Sequence, residues 1–257
     1  MLSVSTQIAR DDSLVDFARM LKSVSFADEI FVFNMERNDM RALELFQQFS
    51  ARVINVKTPK IVEEIRARQV REAGGDWVLI LDFDEVIPGE LRGEIESIIE
   101  NKASCSAYTI PRDNYSLDYP MTHGGWERDY VIRLLRKADF IDWPKNIHST
   151  PRFKGSMVKT LHSMEHHKDA SLSQMVEKTN RYSDIEADLF FQGGLPPVDS
   201  FTLVRKPVME FIRRYILKKG FLDGCIGLIQ ALYQGYSVFI TYAKLAELQT
   251  NYKSSKR

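Results

Sequence analysis

Short apolar runs alternate with amphipathic stretches through the first hundred residues or so, and this alternation constrains the fold more than any other feature of the chain. Apolar runs at 2–8, 30–33, 53–56 and 77–81 read as strands. Between them, Leu14, Phe17, Leu21 and Val24, then Met40, Leu43 and Phe46, then Ile61, Ile65 and Val70 recur at the spacing of one helix face. Asp12 or Ser13 can cap the first of these helices, the second covers 39–49, and Gly74-Gly75 ends the third. Each crossover helix buries one side of the sheet, so the pattern calls for an α/β fold with a parallel sheet covered on both faces, a Rossmann-like half. Ligands of such sheets bind beyond the carboxyl ends of the strands, which singles out the loops after Ile8, Phe33 and Leu81. A helix is expected over 88–99 and strands at 107–110 and 130–136. Mainly helical sequence follows at 171–192 and 207–248, interrupted by Gly193-Gly194-Leu195-Pro196-Pro197.

The fourth apolar run ends in acids. Asp82 and Asp84 flank Phe83, and Glu85 follows. Three carboxylates in four residues repel one another beside a dry strand unless something positive binds there. A hard divalent cation meets that need, because Mg²⁺ takes one or two protein carboxylates and completes its shell with water and substrate phosphates. The plain alternative is a helix cap, with Asp84 or Glu85 facing the dipole of the helix near Pro88. Two chemistries use Asp-x-Asp after an apolar strand. In phosphoryl transfer of the haloacid-dehalogenase type Asp82 would be the nucleophile and Asp84 the acid/base. In glycosyl transfer from a nucleotide sugar the acids hold a metal on the diphosphate. The phosphatase motif lies on a first strand, whereas three strand–helix units precede this one, and no later acidic pair of the phosphatase kind follows.

Cys105 and Cys225 stand far apart without CxxC or His-rich neighbours, so neither a disulfide framework nor a structural zinc is expected. The amino terminus reads as a strand rather than a signal peptide, and the expected location is cytoplasmic. Net charge is zero but unevenly spread. Residues 204–257 hold ten Lys/Arg against Glu210, Asp223 and Glu247, leaving the rest of the chain acidic by the same margin. The stretch 224–243 has no formal charge, yet Gln230, Gln234, Ser237, Thr241 and its glycines favour an in-plane or core-packed helix over a bilayer span. A basic helical tail suits peripheral attachment to the inner face of the cell membrane; a homodimer interface is the other use for such a helix, and no nucleic-acid partner is expected. His148, His162, His166 and His167 cluster in sequence, and His162 with His166 has the spacing of a helical metal pair, without Cys or HExxH context to support zinc.

Four segments carry a family resemblance: 25–30, the strand and acids of 75–85, Pro111-Arg112-Asp113-Asn114-Tyr115, and His123-Gly124-Gly125-Trp126-Glu127-Arg128-Asp129-Tyr130-Val131-Ile132-Arg133-Leu134-Leu135-Arg136. Together they resemble inverting glycosyltransferases of family two, of the GT-A fold, and especially the branch with lipopolysaccharide-core β-glucosyltransferases. The resemblance implies a GT-A-like domain over 1–160 and a helical region over 161–257. It implies a nucleotide-diphosphate sugar donor bound by Asn34, Asp82 and Asp84, with Mg²⁺ or Mn²⁺ on Asp82 and Asp84. It further implies a glycan or lipid-linked acceptor at Arg112, Asn114, His123 and Trp126, and Asp129 as the catalytic base. The chain departs from the family at Arg10-Asp11-Asp12, where a Lys-Asn-Glu-like turn is usual, at Asn34, where an Asp contacts the base, and at His148-Ser149, where His-Glu is frequent. These departures motivate a further alternative, a non-catalytic relative that binds a sugar nucleotide.

Overall fold

A computed structural model describes residues 1–101, 105–146, 149–169 and 171–255. The chain divides into two compact units, Met1–Asp113 with Arg128–His167, and Asn114–Glu127 with Lys168–Arg257.

The first unit begins with the expected alternation: β1 (Leu2–Ala9), α1 (Leu14–Ser23), β2 (Glu29–Met35), α2 (Met40–Gln48), β3 (Arg52–Val56), α3 (Glu63–Arg71) and β4 (Trp77–Leu81). Strands β3, β2, β1 and β4 lie side by side and parallel, so their carboxyl ends share one edge. Register places Thr6 beside Leu81, Gln7 beside Phe33 and Asn34 beside Asn55. Alternate residues serve opposite faces: Trp77, Leu79 and Leu81 join Val4, Ile8, Phe17 and Leu21 on one side. Val78 and Ile80 join Phe31, Phe33, Ile65 and Val70 on the other. Strand β4 is buried along its whole length, which is why it reads as a continuous apolar run. Of the two cap candidates Ser13 is the one used, its hydroxyl accepting from the Asp16 amide. Asp39 caps α2 through the Ala42 amide.

After β5 (Glu85–Val86) and α4 (Gly89–Glu100) the sheet turns mixed. Strands β6 (Ala107–Ser116), β7 (Tyr119–Pro120), β8 (Asp129–Arg136), β9 (Phe140–Asp142), β10 (Arg152–Phe153), β11 (Met157–Lys159) and β12 (Met164–Asp169) follow. Strand β8 runs antiparallel to both β4 and β6, pairing Leu79 with Leu134 and Arg112 with Asp129. Strand β12 meets β5 antiparallel, setting His166 opposite Glu85. Residues 164–169 are therefore extended, and the helical spacing read for His162 and His166 does not apply.

In the second unit β6 ends in a tight hairpin into β7 through Leu117 and Asp118, both at positive φ. Helices α5 (Leu172–Gln192), α6 (Ser200–Ile212) and α7 (Gly224–Ser255) follow, with a π-helical segment at Arg213–Leu217 and a 3-10 turn at Gly220–Asp223. The expected break lies between α5 and α6. Helix α6 starts earlier than the sequence pattern suggests, because Asp199 caps it at the Thr202 amide and Pro207 is carried inside the helix. Helix α7 packs on α5 and α6, and Gln230, Ala231, Thr241 and Leu245 are buried along it. Among the described residues no helix is long and apolar enough to cross a membrane. Both cysteines are free thiols.

Candidate active site

Where β4 leaves the sheet, Asp82 enters a dense net of charge. Its Oδ1 accepts from Gln7 Nε2 at 2.6 Å and from the Arg66 guanidinium, and its Oδ2 accepts from Arg133 Nη2 at 2.5 Å. Arg66, on α3, also donates to Gln7 and Gln69, both at 3.1 Å. Arg133 is the single charged residue in the inner stretch of β8 and is only 6% exposed; its Nη2 reaches Glu85 Oε1 at 2.6 Å. Glu85 is fully buried. It also accepts from Arg112 at 3.1 Å and, through Oε2, from the Asp82 amide at 3.0 Å. Arg112 closes the chain of contacts with a two-point grip on Asp129, at 3.0 Å and 2.5 Å. Three guanidinium groups thus face Asp82, Glu85 and Asp129, a balanced set that offsets the repulsion between Asp82 and Glu85.

The charge states follow. Burial alone would raise the Asp82 carboxyl, but Arg133 and Arg66 overcome it and hold the group well below the usual carboxylate range. Burial would lower the Arg133 guanidinium; Asp82 and Glu85 outweigh that and fix it as a cation. Arg112 is raised in the same sense, against burial, by Asp129 and Glu85. In the second unit Asp223 is also lowered, with burial opposing and His123 and Thr122 prevailing. A carboxyl depressed in the fold contributes stability that is complete above its unfolded value of about 4 and is lost as pH falls through the folded value. Thermal midpoints of the full chain are therefore expected to hold, as far as these two groups are concerned, from pH 7 to about 5 and to fall progressively below about 4. A midpoint unchanged down to about pH 3 would contradict this account.

Asp84 has different surroundings. It is 8% exposed, its Oδ2 stands 3.7 Å from His166 Nε2, and its carbonyl accepts from the His167 amide at 2.8 Å. Among the described residues no group of three or more His, Cys, Asp or Glu side chains is arranged to hold a metal. One carboxylate with one imidazole suits a hard or borderline cation that keeps water and substrate oxygens in its shell. Asp82 does not suit that role: a cation on its oxygens would have to displace two guanidinium groups.

The other residues singled out in the sequence fall in several places. Asn34 is buried at the end of β2, and its amide is committed to the turn. Its Nδ2 donates to Arg37 O and to Asn55 Oδ1, and its Oδ1 accepts from the Arg37 amide. The Arg37 side chain then ties Asp39 at 2.7 Å to the carbonyls of Ala9 and Asp12. The two loops where nucleotide contacts were expected are in this way stapled together. Arg112 and Asp129 belong to the first unit; Asn114, His123 and Trp126 belong to the second. There Asn114 Nδ2 donates to Trp126 O at 3.3 Å, and His123 Nδ1 lies 3.0 Å from Asp223 Oδ1. His162 pairs with Glu94 at 3.0 Å and His167 with Glu165 at 3.0 Å, while His148 lies outside the described residues. Sequence reasoning overlooked Gln7, Arg66 and Arg133. Arg133 alone carried a signal, a lone cation among Val131, Ile132, Leu134 and Leu135.

No family model matches the chain. It is similar to an uncharacterized glycosyltransferase of Rickettsia typhi, 26% identical over 262 residues that cover 96% of this chain and 88% of that protein. A Rickettsia prowazekii protein of the same description is 25% identical over 268 residues, covering 96% and 88%. The lipopolysaccharide core biosynthesis glycosyltransferase LpsC of Rhizobium meliloti is 23% identical over 172 residues, covering 66% of this chain and 63% of its own. Proteins named as glycosyltransferases thus match nearly the whole length of the chain. Among solved structures, a Pyrobaculum calidifontis mannosyltransferase in complex with GDP-Man and Mn²⁺ aligns at TM-score 0.47 and 10% identity, covering 98% of this chain and 87% of that one. Residues 1–349 of S. aureus TarS align at 0.44 and 11%, covering 97% and 91%.

Proposed function

We propose that this chain is a GT-A-type glycosyltransferase that moves a hexose from a nucleotide-diphosphate sugar to a glycan or lipid-linked acceptor with inversion. The observation that carries the reading is the position of Asp84 just past β4, at the shared carboxyl edge of four parallel strands, with His166 beside it. The names borne by relatives along nearly the whole chain support the same class of reaction. Asp84 and His166 would hold Mg²⁺ or Mn²⁺, which when bound neutralises charge on the leaving diphosphate. Asp82 takes another part: it positions Arg66 and Arg133 at the strand end and helps hold the Arg133 guanidinium as a cation. Asp129 meets one guanidinium, that of Arg112, where Asp82 meets two, and at 44% side-chain exposure it keeps carboxylate surface open to accept the acceptor's hydroxyl proton as the new bond forms. Phosphoryl transfer would need Asp82 as a nucleophile, and both of its oxygens are occupied by Gln7, Arg66 and Arg133.

Nucleoside diphosphates with Mn²⁺ should raise the thermal midpoint of the full chain, a ligand at a hundred times its Kd adding about 2.7 kcal/mol. Omitting Mn²⁺ should remove most of the gain. A chain that responds to no nucleotide, yet shows metal-dependent phosphatase activity lost in Asp82→Asn, would instead be a phosphoryl-transfer enzyme.

Peripheral attachment at the inner membrane face is part of the same proposal. Phe201, Val204, Val208 and Met209 are exposed on α6 together with Arg205, and Arg213 follows in the π-helical segment, an apolar surface with cations beside it. The full chain should float with anionic liposomes at low salt and be released at high salt. Failure to float, with a dimer seen by light scattering, would assign this surface to a second copy of the chain.

A further inference from the structure

The second unit contains a corner with two unspent donors, the Lys218 ammonium and the Trp126 indole N–H. Gly124 and Gly125 both have positive φ, at 74° and 87°, so the loop turns on two residues that a side chain would strain. Lys218 lies across that loop: a Cβ on Gly125 would stand 2.7 Å from its Nζ and 2.9 Å from its Cδ. The backbone fixes this approach, since the Gly124 amide donates to the Lys218 carbonyl at 2.8 Å. Among the described residues the Lys218 ammonium makes no hydrogen bond and no ion pair.

Trp126 completes the corner. Its indole Nε1 is buried and has no hydrogen-bond partner, although such groups in folded proteins are nearly always satisfied. Arg214 Cζ is 4.5 Å and Lys168 Nζ 3.8 Å from the Trp126 ring centroid. Arg214 also donates to Gly124 O at 3.2 Å and pairs with Glu210. The remaining acids are engaged or at the rim: Asp223 holds His123 and Thr122, and Glu127 accepts from the Gly125 amide at 3.4 Å. Three cations, Lys168, Arg214 and Lys218, stand with three acids around a glycine turn, and of the donors there the Lys218 ammonium and the Trp126 indole N–H are the two without acceptors among the described residues. That donor set matches a multi-oxygen anion.

We propose that the Lys218 ammonium and the Trp126 indole N–H, set together by the Gly124–Gly125 turn beside Arg214, form an oxyanion site that takes a substrate phosphate, and that the acceptor is a phosphate-bearing sugar. This rests on the reading of His123 and Trp126 as acceptor residues and names the chemical class of what they receive. Lys218 supplies the charge, and Trp126 Nε1 supplies a directional donor that a phosphate oxygen can meet and a hydroxyl-bearing neutral sugar meets less well.

Isothermal titration of the full chain separates the two sources of phosphate. Glucose 6-phosphate represents the acceptor, and UDP without metal represents the donor's diphosphate. Glucose 6-phosphate should bind, glucose should not, and Lys218→Met should weaken binding by about 10-fold to 100-fold. Lys218→Arg should retain most of the affinity, and Trp126→Phe should weaken it without loss of fold by circular dichroism. A Lys218-dependent response to UDP in place of glucose 6-phosphate would keep the oxyanion site and move it to the donor. No binding of either probe at about 10 mM, or affinity unaltered in Lys218→Met, would overturn the site. If that happens while Mn²⁺-dependent nucleotide stabilisation persists, the glycosyltransferase reading stands and only this inference falls.

Discussion

Arg133→Met should cost the fold about 3–5 kcal/mol, the usual penalty for removing one partner from a buried ion cluster. Arg133 donates to Asp82 and Glu85 at 2.5 Å and 2.6 Å, and Glu85 has no access to solvent. Methionine fills a similar volume but leaves two carboxylates sharing Arg66 and Arg112. The loss therefore reflects stranded charge more than a missing contact, and a compensating Arg133→Met, Glu85→Gln double variant should recover a substantial part of it. Urea unfolding at pH 7 measures both. A single variant that loses less than about 1 kcal/mol would mean that water reaches the carboxylates and that the network is not a dry one.

The second large effect concerns activity. Asp84→Asn keeps the shape of the side chain and removes its charge, while Asp82 retains Gln7, Arg66 and Arg133 as partners. Outer partners of metal ligands commonly cost 10-fold to 100-fold when lost, so an inner ligand should cost at least about 100-fold in sugar transfer. Excess Mn²⁺ should restore only part of the rate. The readout is initial velocity against Mn²⁺ concentration, with stability followed in parallel. Wild-type velocity and an unchanged Mn²⁺ response would remove Asp84 from the metal site.

The α/β half was legible because its signals are local. Each strand's apolar run and each helix's face are complete within about ten residues, and Ser13 and Asp39 cap where a side-chain oxygen precedes the periodic residues. The mixed half was less so, because the placement of β8 beside β4 depends on pairing such as that of Leu79 with Leu134, far apart in sequence, and leaves no local mark. The acids at 82–85 were visible as a cluster, yet their partners were not. Arg66 and Arg133 come from a helix and a strand on either side, and nothing in Asp-Phe-Asp-Glu tells which acid meets guanidinium and which meets His166. Asn34 shows the opposite failure. Its position suggested a ligand contact, but an amide at a strand end is equally able to build a turn, and here both ends of the amide do so.

The two-residue pairing of β5 with β12 carries a consequence for how the protein is made. Asp84 and Glu85 are synthesised some eighty residues before His166, and the strand that brings them together is the last of the sheet. A nascent chain can complete the parallel strands and bury β4 while its acidic edge still lacks its imidazole. Closing so long a loop is a late and slow event compared with helix or hairpin formation. The cation site proposed for Asp84 and His166 would therefore be complete only once residue 167 has left the ribosome, so an emerging chain can hold its parallel strands together before the proposed site exists.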